Sequence, residues 1–221
     1  MHNTLFRFRD VSFNYPGGSS VLEDLNLEIG ANELSLIRGE SGAGKSTFLQ
    51  LFNRFCDSGN GVILYHGRDI REYGIEKIRK SIIYLPQIPH VIEGSVEDNL
   101  RFPFSFTVHR DNTFDASRAE EWLDYFQLQV SLRDEALKLS VGQKQRISLI
   151  RAMLLEPEVL LLDEPGSALD EANKKLIEQK IESLLRSSDV TVLMASHSTV
   201  SFAHTSYRDF EIKNRTLKEL K

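Results

Sequence analysis

A glycine-rich stretch in the first quarter of the chain has the residue types that hold a phosphate group. It reads GESGAGKS from Gly39 and fits the pattern G-x-x-x-x-G-K-[ST], between a predicted strand and a predicted helix. Glycines let the backbone curl so that several N–H groups face one phosphate, and Lys45 adds a charge for the outer phosphates. The Ser46 hydroxyl suits Mg²⁺. The alternative is an ordinary glycine-rich turn before a helix. The candidate phosphate-binding residues are Gly39, Glu40, Ser41, Gly42, Ala43, Gly44, Lys45, Ser46 and Thr47.

Two adjacent acids, Asp163 and Glu164, close the apolar run VLLLD. Successive residues at a strand end point in different directions, so the two acids can do different work. We predict that Asp163 holds Mg²⁺, directly or through water, and that Glu164 polarises the attacking water as a general base. The alternative is an exposed acidic turn before Pro165. His197 ends another apolar strand, where parallel strands place their ligand crevice, although a lone histidine is more often structural.

A second stretch, LSVGQKQR from Leu139, has the pattern of a helix start that attracts anions. Ser140 is the expected cap, and Gln143 is placed to reach back to the backbone N–H of the cap. Free N–H groups and the helix dipole favour an anion at such an end. This second anion site lies about a hundred residues after the first, and the sequence alone leaves open whether the two meet within one chain or between two chains.

The elements that position these residues follow from hydrophobic spacing. Alternating residues from Phe6 to about Ile37 predict antiparallel strands joined by the turn PGGSS. LSLIRG, SIIYLPQ, VLLLD and TVLMASH read as strands, the last two fully buried and TVLMASH the final strand of the chain. Residues 89–139 have a helical pattern, and Asp170 is the expected cap of a later helix. The sequence thus predicts a mixed α/β core interrupted by a helical insertion of about 50 residues.

Composition narrows the class of protein further. The chain has 221 residues, of which 41% are hydrophobic, and its net charge is −5. A surface that binds nucleic acid usually needs an excess of basic residues, so this charge gives no support for one. Cys56 is the only cysteine, which excludes an internal disulfide. No apolar run approaches the roughly 18 residues of a membrane span, and no signal-peptide core is seen at the start. Apart from His197, the histidines lack ligand spacing, so no zinc or iron site is expected.

These motifs together resemble the nucleotide-binding subunit of ABC transporters, over essentially the whole length of the chain. The resemblance implies the ABC ATPase fold: a P-loop NTPase (RecA-like) core with an N-terminal antiparallel β subdomain and an inserted α-helical subdomain. It divides the single domain, residues 1–221, into a core of about 1–88 and 147–221 and a helical part of about 89–146. The matching positions are Tyr15 (adenine stacking), Gly39–Thr47 (Walker A), Gln87 (Q-loop, a catalytic and Mg²⁺ position), Leu139–Gln143 (signature, with Ser140, Gly142 and Gln143), Val159–Glu164 (Walker B), Ser167–Asp170 (D-loop) and His197 (switch histidine).

The resemblance also implies cofactors and partners. ATP and Mg²⁺ are expected, with a membrane permease as partner and a location at the cytoplasmic face of the cell membrane. Two copies are expected to face each other head to tail, each signature helix capping the ATP of the other copy. Val141 replaces the first glycine of the usual LSGGQ, and its side chain could loosen that contact. No nucleic-acid partner is expected.

Within the family, several stretches are similar to the ATPase of the bacterial Fet-type iron exporter. They are EGSVEDNLRFPF, EKIRKSIIYLPQ, RISLIRAMLLEPEVLLLDE and SALDEANK. Open alternatives are an ATPase for another cargo such as amino acids or lipoproteins, a soluble ABC protein of DNA repair or translation, and an interaction module with a degenerate ATP site. We expect the permease to dock near Phe102, Phe104 and Phe106. The other interpretation of these aromatics is that they line the core.

Overall fold

The computed structural model describes residues 4–167, 169–197, 202 and 204–220, which form two sheets and the helices around them. The strands are β1 (Thr4–Asn14), β2 (Ser20–Gly30), β3 (Leu34–Arg38), β4 (Asn60–Tyr65), β5 (Arg68–Asp69), β6 (Ile82–Leu85), β7 (Val159–Asp163), β8 (Thr191–Ser196), β9 (Tyr207–Lys213) and β10 (Thr216–Glu219). The α-helices are α1 (Lys45–Phe52), α2 (Ile75–Ser81), α3 (Val96–Arg101), α4 (Ala116–Tyr125), α5 (Val141–Met153) and α6 (Glu171–Ser187). Short 3₁₀ helices cover Ile70–Glu72, Phe102–Ser105, Thr107–His109 and Ala136–Lys138.

The first sheet is antiparallel, with strand order β2-β1-β4-β5. The hairpin of β1 and β2 closes at the predicted turn PGGSS, and the alternating residues of β1 put Phe6 and Phe8 into the core. A bulge follows at Asp10, whose φ is 50°, and it keeps Val11 on the buried face. Gly61 of the neighbouring strand must be a glycine, because a Cβ atom there would overlap the carbonyl oxygen of Asp10.

The second sheet has the order β10-β9-β3-β8-β7-β6 and is parallel except for β10. All five residues of β7 are buried, as expected for a strand covered on both faces. Because β3, β8, β7 and β6 run in one direction, their carboxyl ends meet at one edge of the sheet. The predicted mixed α/β core with an N-terminal antiparallel β subdomain is confirmed.

Two features of the sheets were not foreseen from the sequence. TVLMASH forms β8 but is not the final strand, because β9 adds beside β3 and β10 folds back on β9. The segment of β9 reads YRDFEIK, and its charged residues obscure the pattern of a strand in the sequence. One of them, Asp209, is buried and accepts a hydrogen bond of 2.7 Å from Arg38 Nε. The strands β4 and β5, between α1 and α2, were likewise missed.

The helices α3, α4 and α5 lie in the chain between β6 and β7, where the helical insertion was predicted. Leu123 and Phe126 are buried, in a core shared with Leu160 and Leu162 of the parallel sheet. The proposed division at residue 146 falls inside the continuous helix α5, and the subdomain boundaries stay a prediction. The capping box at Ser140 and the cap at Asp170 are confirmed. Within the described ranges, no helix combines the length and the apolar character that crossing a bilayer requires.

Four phenylalanines connect α1 to the antiparallel sheet. Phe6 and Phe8 of β1 and Phe48 and Phe52 of α1 are buried, and none of them is more than 2% exposed. The Phe52 ring centroid lies 4.9 Å from that of Phe6, 4.8 Å from that of Phe8 and 5.1 Å from that of Phe48. This aromatic cluster holds the first turn of α1, which follows the glycine loop, in place against the sheet.

Truncation of Phe52 to alanine should therefore lower the free energy of unfolding by about 3–5 kcal/mol, the usual loss for a buried phenylalanine. Phe106→Ala, at a side chain that is 49% exposed, is the matched control and should lose about 1 kcal/mol or less. Urea unfolding followed by circular dichroism measures both. Equal losses in the two variants would contradict the central role of the cluster.

Candidate functional site

The glycine loop joins β3 to α1 and wraps around the ammonium group of Lys45. That side chain is only 5% exposed. Lys45 Nζ donates to the carbonyl oxygens of Gly39 and Glu40, each at 3.0 Å, and lies 3.1 Å from Glu164 Oε1. Gly44 has a φ of 102° and a Cβ atom there would come within 3.0 Å of Val21 Cγ1, so this position needs glycine. The loop thus fixes a buried positive charge at the start of α1.

Glu164 is the point at which three of the predicted residues meet. Beside Lys45, its carboxylate contacts His197, whose Nδ1 lies 2.8 Å from Oε2, and Gln87, whose Nε2 donates to Oε2 at 3.2 Å. Gln87 Nε2 also donates to Ser167 Oγ at 3.0 Å. The Glu164 backbone has a φ of 47°, a conformation that non-glycine residues rarely adopt and that often marks functional positions. The carboxylate can therefore act as a base whose orientation three donors fix.

Asp163, the other acid of the pair, is buried and has a different hydrogen-bond partner. Its Oδ2 accepts a hydrogen bond of 2.7 Å from the Tyr84 hydroxyl, which itself accepts one of 3.4 Å from Gln50 Nε2. Burial, followed by the hydrogen bond to Asp163, raises the pKa of Tyr84 well above its usual value, so the hydroxyl remains a donor. The sequence analysis did not predict a role for Tyr84. The one indication in the sequence was its hydroxyl group in the otherwise apolar stretch of the predicted strand SIIYL.

A cleft of about 510 Å³ opens beside the glycine loop. That volume is in the range of small-ligand sites. At its rim Tyr15 is 46% exposed, and its hydroxyl lies 3.0 Å from Thr47 Oγ1. The cleft brings together ten of the predicted residues, with Val21 as an addition. Its lining comprises Tyr15, Val21, Ser41, Gly42, Gly44, Lys45, Ser46, Thr47, Gln87, Glu164 and His197.

The second predicted anion site lies outside this lining, at the N-terminus of α5. Ser140 Oγ accepts from the Gln143 backbone N–H at 3.2 Å, and Gln143 Oε1 accepts from the Ser140 N–H at 2.8 Å. Val141 is 49% exposed, so its side chain points into solvent. A Cβ atom at Gly142 would approach Leu169 Cδ2 to 3.3 Å. The cleft and the α5 terminus are therefore two separate candidate anion sites within one chain.

Residues 22–167 match the profile of the ABC transporter family. The chain belongs to the ABC transporter family. It is an ATPase domain of that family, which confirms the predicted enzyme class. In structure it is similar to cbiO1 from Clostridium perfringens, described as part of the ABC transporter complex cbiONQ, with a TM-score of 0.84 and 25% identity over 98% of this chain and 87% of that one.

Relatives of this ABC ATPase domain differ in their length. It is 34% identical to the probable iron export ATP-binding protein FetA of Escherichia coli K12, over 92% of this chain and 89% of FetA. It is 36% identical to the ABC-type transporter kk1G of Curvularia clavata and 35% identical to ABC transporter B family member 1 of Dictyostelium discoideum. The matches cover 86% and 89% of this chain but only 15% and 22% of those two longer proteins.

The contact between Lys45 and Glu164 predicts how nucleotide affinity responds to a change at Glu164. A phosphate must compete with this carboxylate for the ammonium group and is repelled by its charge. Glu164→Gln should therefore tighten ATP binding by roughly tenfold, since a charge-assisted hydrogen bond contributes about 1.5–3 kcal/mol and the amide retains part of it. Calorimetric titration with ATP in the presence of EDTA measures the change.

Glu72→Gln is the matched control for this titration. Glu72 pairs with Arg68 on the antiparallel sheet and its side chain is 56% exposed, so ATP affinity should stay at the wild-type value. Unchanged or weaker ATP binding by Glu164→Gln would show that Glu164 does not compete with phosphate for Lys45.

Proposed function

We propose that this domain binds ATP with Mg²⁺, hydrolyses it with Glu164 as the general base, and powers transport through a separate membrane permease. The observation that carries the proposal is the meeting of Lys45, Gln87 and His197 on Glu164 in the cleft beside the glycine loop. Lys45 supplies charge to the phosphates, and His197 and Gln87 orient the carboxylate that takes a proton from water. The exposed ring of Tyr15, at the rim of the cleft, is the proposed stacking partner for adenine.

The residues near the cleft fit Mg²⁺ by their chemistry. Ser46 and Gln87 line the cleft, and Asp163 precedes Glu164 directly. All three offer oxygen atoms, the ligands that Mg²⁺ prefers, and phosphates and water complete its coordination. In the described ranges no group of three or more His, Cys, Asp or Glu side chains is placed to hold a metal ion. The ion would neutralise charge on the phosphates.

We propose iron as the cargo, in an export direction, because FetA matches this chain over nearly the full length of both. A domain that serves another cargo, such as amino acids or lipoproteins, would use the same ATP site, and the identity of the permease distinguishes the two. Purification of the domain with its permease from native membranes identifies the transporter. The domain would lie at the cytoplasmic face of the cell membrane, held there by the permease.

A second copy of the chain is the proposed partner at the α5 terminus. Ser140, Gly142 and Gln143 do not line the cleft of their own chain, yet Ser140 and Gln143 form a helix start suited to an anion. In a head-to-tail pair, each of these termini would contact the ATP that the other copy holds. Each active site would then combine a glycine loop from one copy with a Ser140 terminus from the other.

This arrangement predicts rescue of ATP hydrolysis when two inactive variants are mixed. Lys45→Ala weakens phosphate binding, and Ser140→Arg puts bulk and charge where a phosphate should approach. Each variant alone should lose most ATPase activity. In a mixed pair one site carries both changes and the other site carries neither, so hydrolysis should return in part. The release of phosphate is measured with the permease present.

Formation of mixed pairs is the control for this experiment and is followed by two affinity tags. Mixed pairs that form without any rescue would contradict the shared site. A wild-type domain that fails to hydrolyse ATP with its permease would contradict the proposed function itself.

The proposed permease surface is the pair Phe102 and Phe106, which are 39% and 49% exposed, with ring centroids 5.1 Å apart. Phe104, which was expected to join them, is left out of the proposed surface because it is half-buried. Its ring packs on the main core and on Phe114, with centroids 5.7 Å apart. Exposed aromatic pairs are favoured at the centres of protein interfaces.

Phe106→Asn should therefore reduce the amount of permease that is purified with the domain and leave thermal stability near the wild-type value. Phe104→Asn is the matched comparison and should lower the stability of the isolated domain, because it replaces a half-buried ring that packs against the core with an amide. The two measurements are pull-down with the permease and thermal unfolding. Normal recovery of permease by Phe106→Asn would contradict the docking surface.

A further inference from the structure

Tyr84 is the only polar residue of β6, and its hydroxyl donates a hydrogen bond to the Asp163 carboxylate. We infer that Tyr84 is a positioning residue for Mg²⁺: its hydroxyl fixes the orientation in which Asp163 presents its second oxygen to the ion or to water bound to it. The inference rests on the proposed Mg²⁺-dependent hydrolysis of ATP. It adds to that function a residue that lies outside the motif residues.

The register of the parallel strands brings the two side chains together. Tyr84 of β6 lies opposite Leu161 of β7, and Asp163 follows two positions later, on the same face as Leu161. A tyrosine side chain is long enough to reach a residue two positions further along the neighbouring strand, and the Tyr84 hydroxyl donates to Asp163 Oδ2 at 2.7 Å. A shorter polar side chain at this position would not span that distance.

A chain of hydrogen bonds sets the direction in which the Tyr84 proton points. The Cys56 thiol lies 3.4 Å from Gln50 Oε1, and Gln50 Nε2 donates to the Tyr84 oxygen at 3.4 Å. The Tyr84 hydroxyl thus accepts from α1 and donates to β7. Its oxygen is engaged by an amide, so its own hydrogen is directed at Asp163.

Because Asp163 is buried, its hydrogen bond from Tyr84 affects how the carboxylate is presented to the metal ion. Asp163 is 5% exposed, so water competes little for its oxygens. The hydroxyl occupies Oδ2, which leaves Oδ1 as the oxygen for the ion or its bound water. Rotation of the carboxylate would break the hydrogen bond in a poorly solvated place, where such a bond is stronger than in water. Partners of this kind, one step removed from a metal, typically change its affinity when they are removed.

The test measures metal affinity separately from catalysis. Tyr84→Phe removes the hydroxyl and keeps the ring. Mn²⁺ is titrated into the domain saturated with a non-hydrolysable ATP analogue, and free Mn²⁺ is followed by electron paramagnetic resonance. Mn²⁺ affinity should fall by roughly 10- to 100-fold. The Mg²⁺ concentration for half-maximal ATPase activity should rise in the same proportion, and the maximal rate should recover at high Mg²⁺.

Two further variants separate the inference from the function on which it rests. Tyr125→Phe is the control, because it removes a tyrosine hydroxyl that does not contact Asp163. This hydroxyl lies at the end of α4 and donates to the Lys180 carbonyl oxygen of α6 at 2.9 Å, so Mn²⁺ affinity should stay normal. Asp163→Asn should weaken Mn²⁺ binding strongly. If Asp163→Asn binds Mn²⁺ as the wild type does, the proposed metal role of Asp163 fails. If Asp163→Asn is weak and Tyr84→Phe is normal, the inference about Tyr84 alone is overturned.

Thermal unfolding of Tyr84→Phe accompanies the titration. If this variant does not fold, Gln50→Met replaces it, because it removes the donor to the Tyr84 oxygen and preserves side-chain volume. Mn²⁺ affinity should again fall, by less than in Tyr84→Phe. A normal affinity in Gln50→Met would then overturn the inference.

Discussion

The buried ion pair between Lys45 and Glu164 is the contact on which the rest of the site depends. The two side chains are 5% and 13% exposed and their charged atoms lie 3.1 Å apart. Charges removed from water cost several kcal/mol each unless they are paired and their remaining hydrogen-bonding positions are filled. Here two carbonyl oxygens of the loop complete the shell of Lys45, and Gln87 and His197 complete that of Glu164. The start of α1 and the end of β7 are therefore fixed to each other.

The parallel sheet makes this pairing possible. The strands β3, β8, β7 and β6 are neighbours in that order, so the residues that follow them emerge at one edge. The strained backbone of Glu164 is held there by its N–H, which donates to the Ala195 carbonyl oxygen of β8 at 3.1 Å. On the other side, the aromatic cluster of Phe6, Phe8, Phe48 and Phe52 seats α1 against the antiparallel sheet.

The two faces of the parallel sheet contribute to separate cores. Along β7, Val159 and Leu161 join the core that contains α1, whereas Leu160 and Leu162 join the core of the helical region and α6. The first face carries the glycine loop and the Tyr84–Asp163 contact. The other face supports α5 and, at its N-terminus, the second anion site. The two candidate anion sites therefore lie on elements that pack against opposite faces of the parallel sheet.

The sequence by itself determined the features that depend on neighbours a few positions apart. The glycine loop, the acid pair, the capping box at Ser140 and the cap at Asp170 are all visible in local spacing, because a loop or a helix end is specified within about four residues. The run VLLLD likewise marks a buried strand. These features give the fold class and most of the residues that line the cleft.

Only the tertiary structure decided the contacts between distant segments. The strand β9 lies beside β3, and Arg38 there pairs with Asp209, which is 171 residues later in the chain. Tyr84 meets Asp163 because β6 and β7 are neighbours in one register. Phe104 turns inward while Phe106 stays exposed, although both belong to one aromatic stretch. The reason is physical: packing across the core selects which surfaces are buried, and local spacing carries no information about the partner.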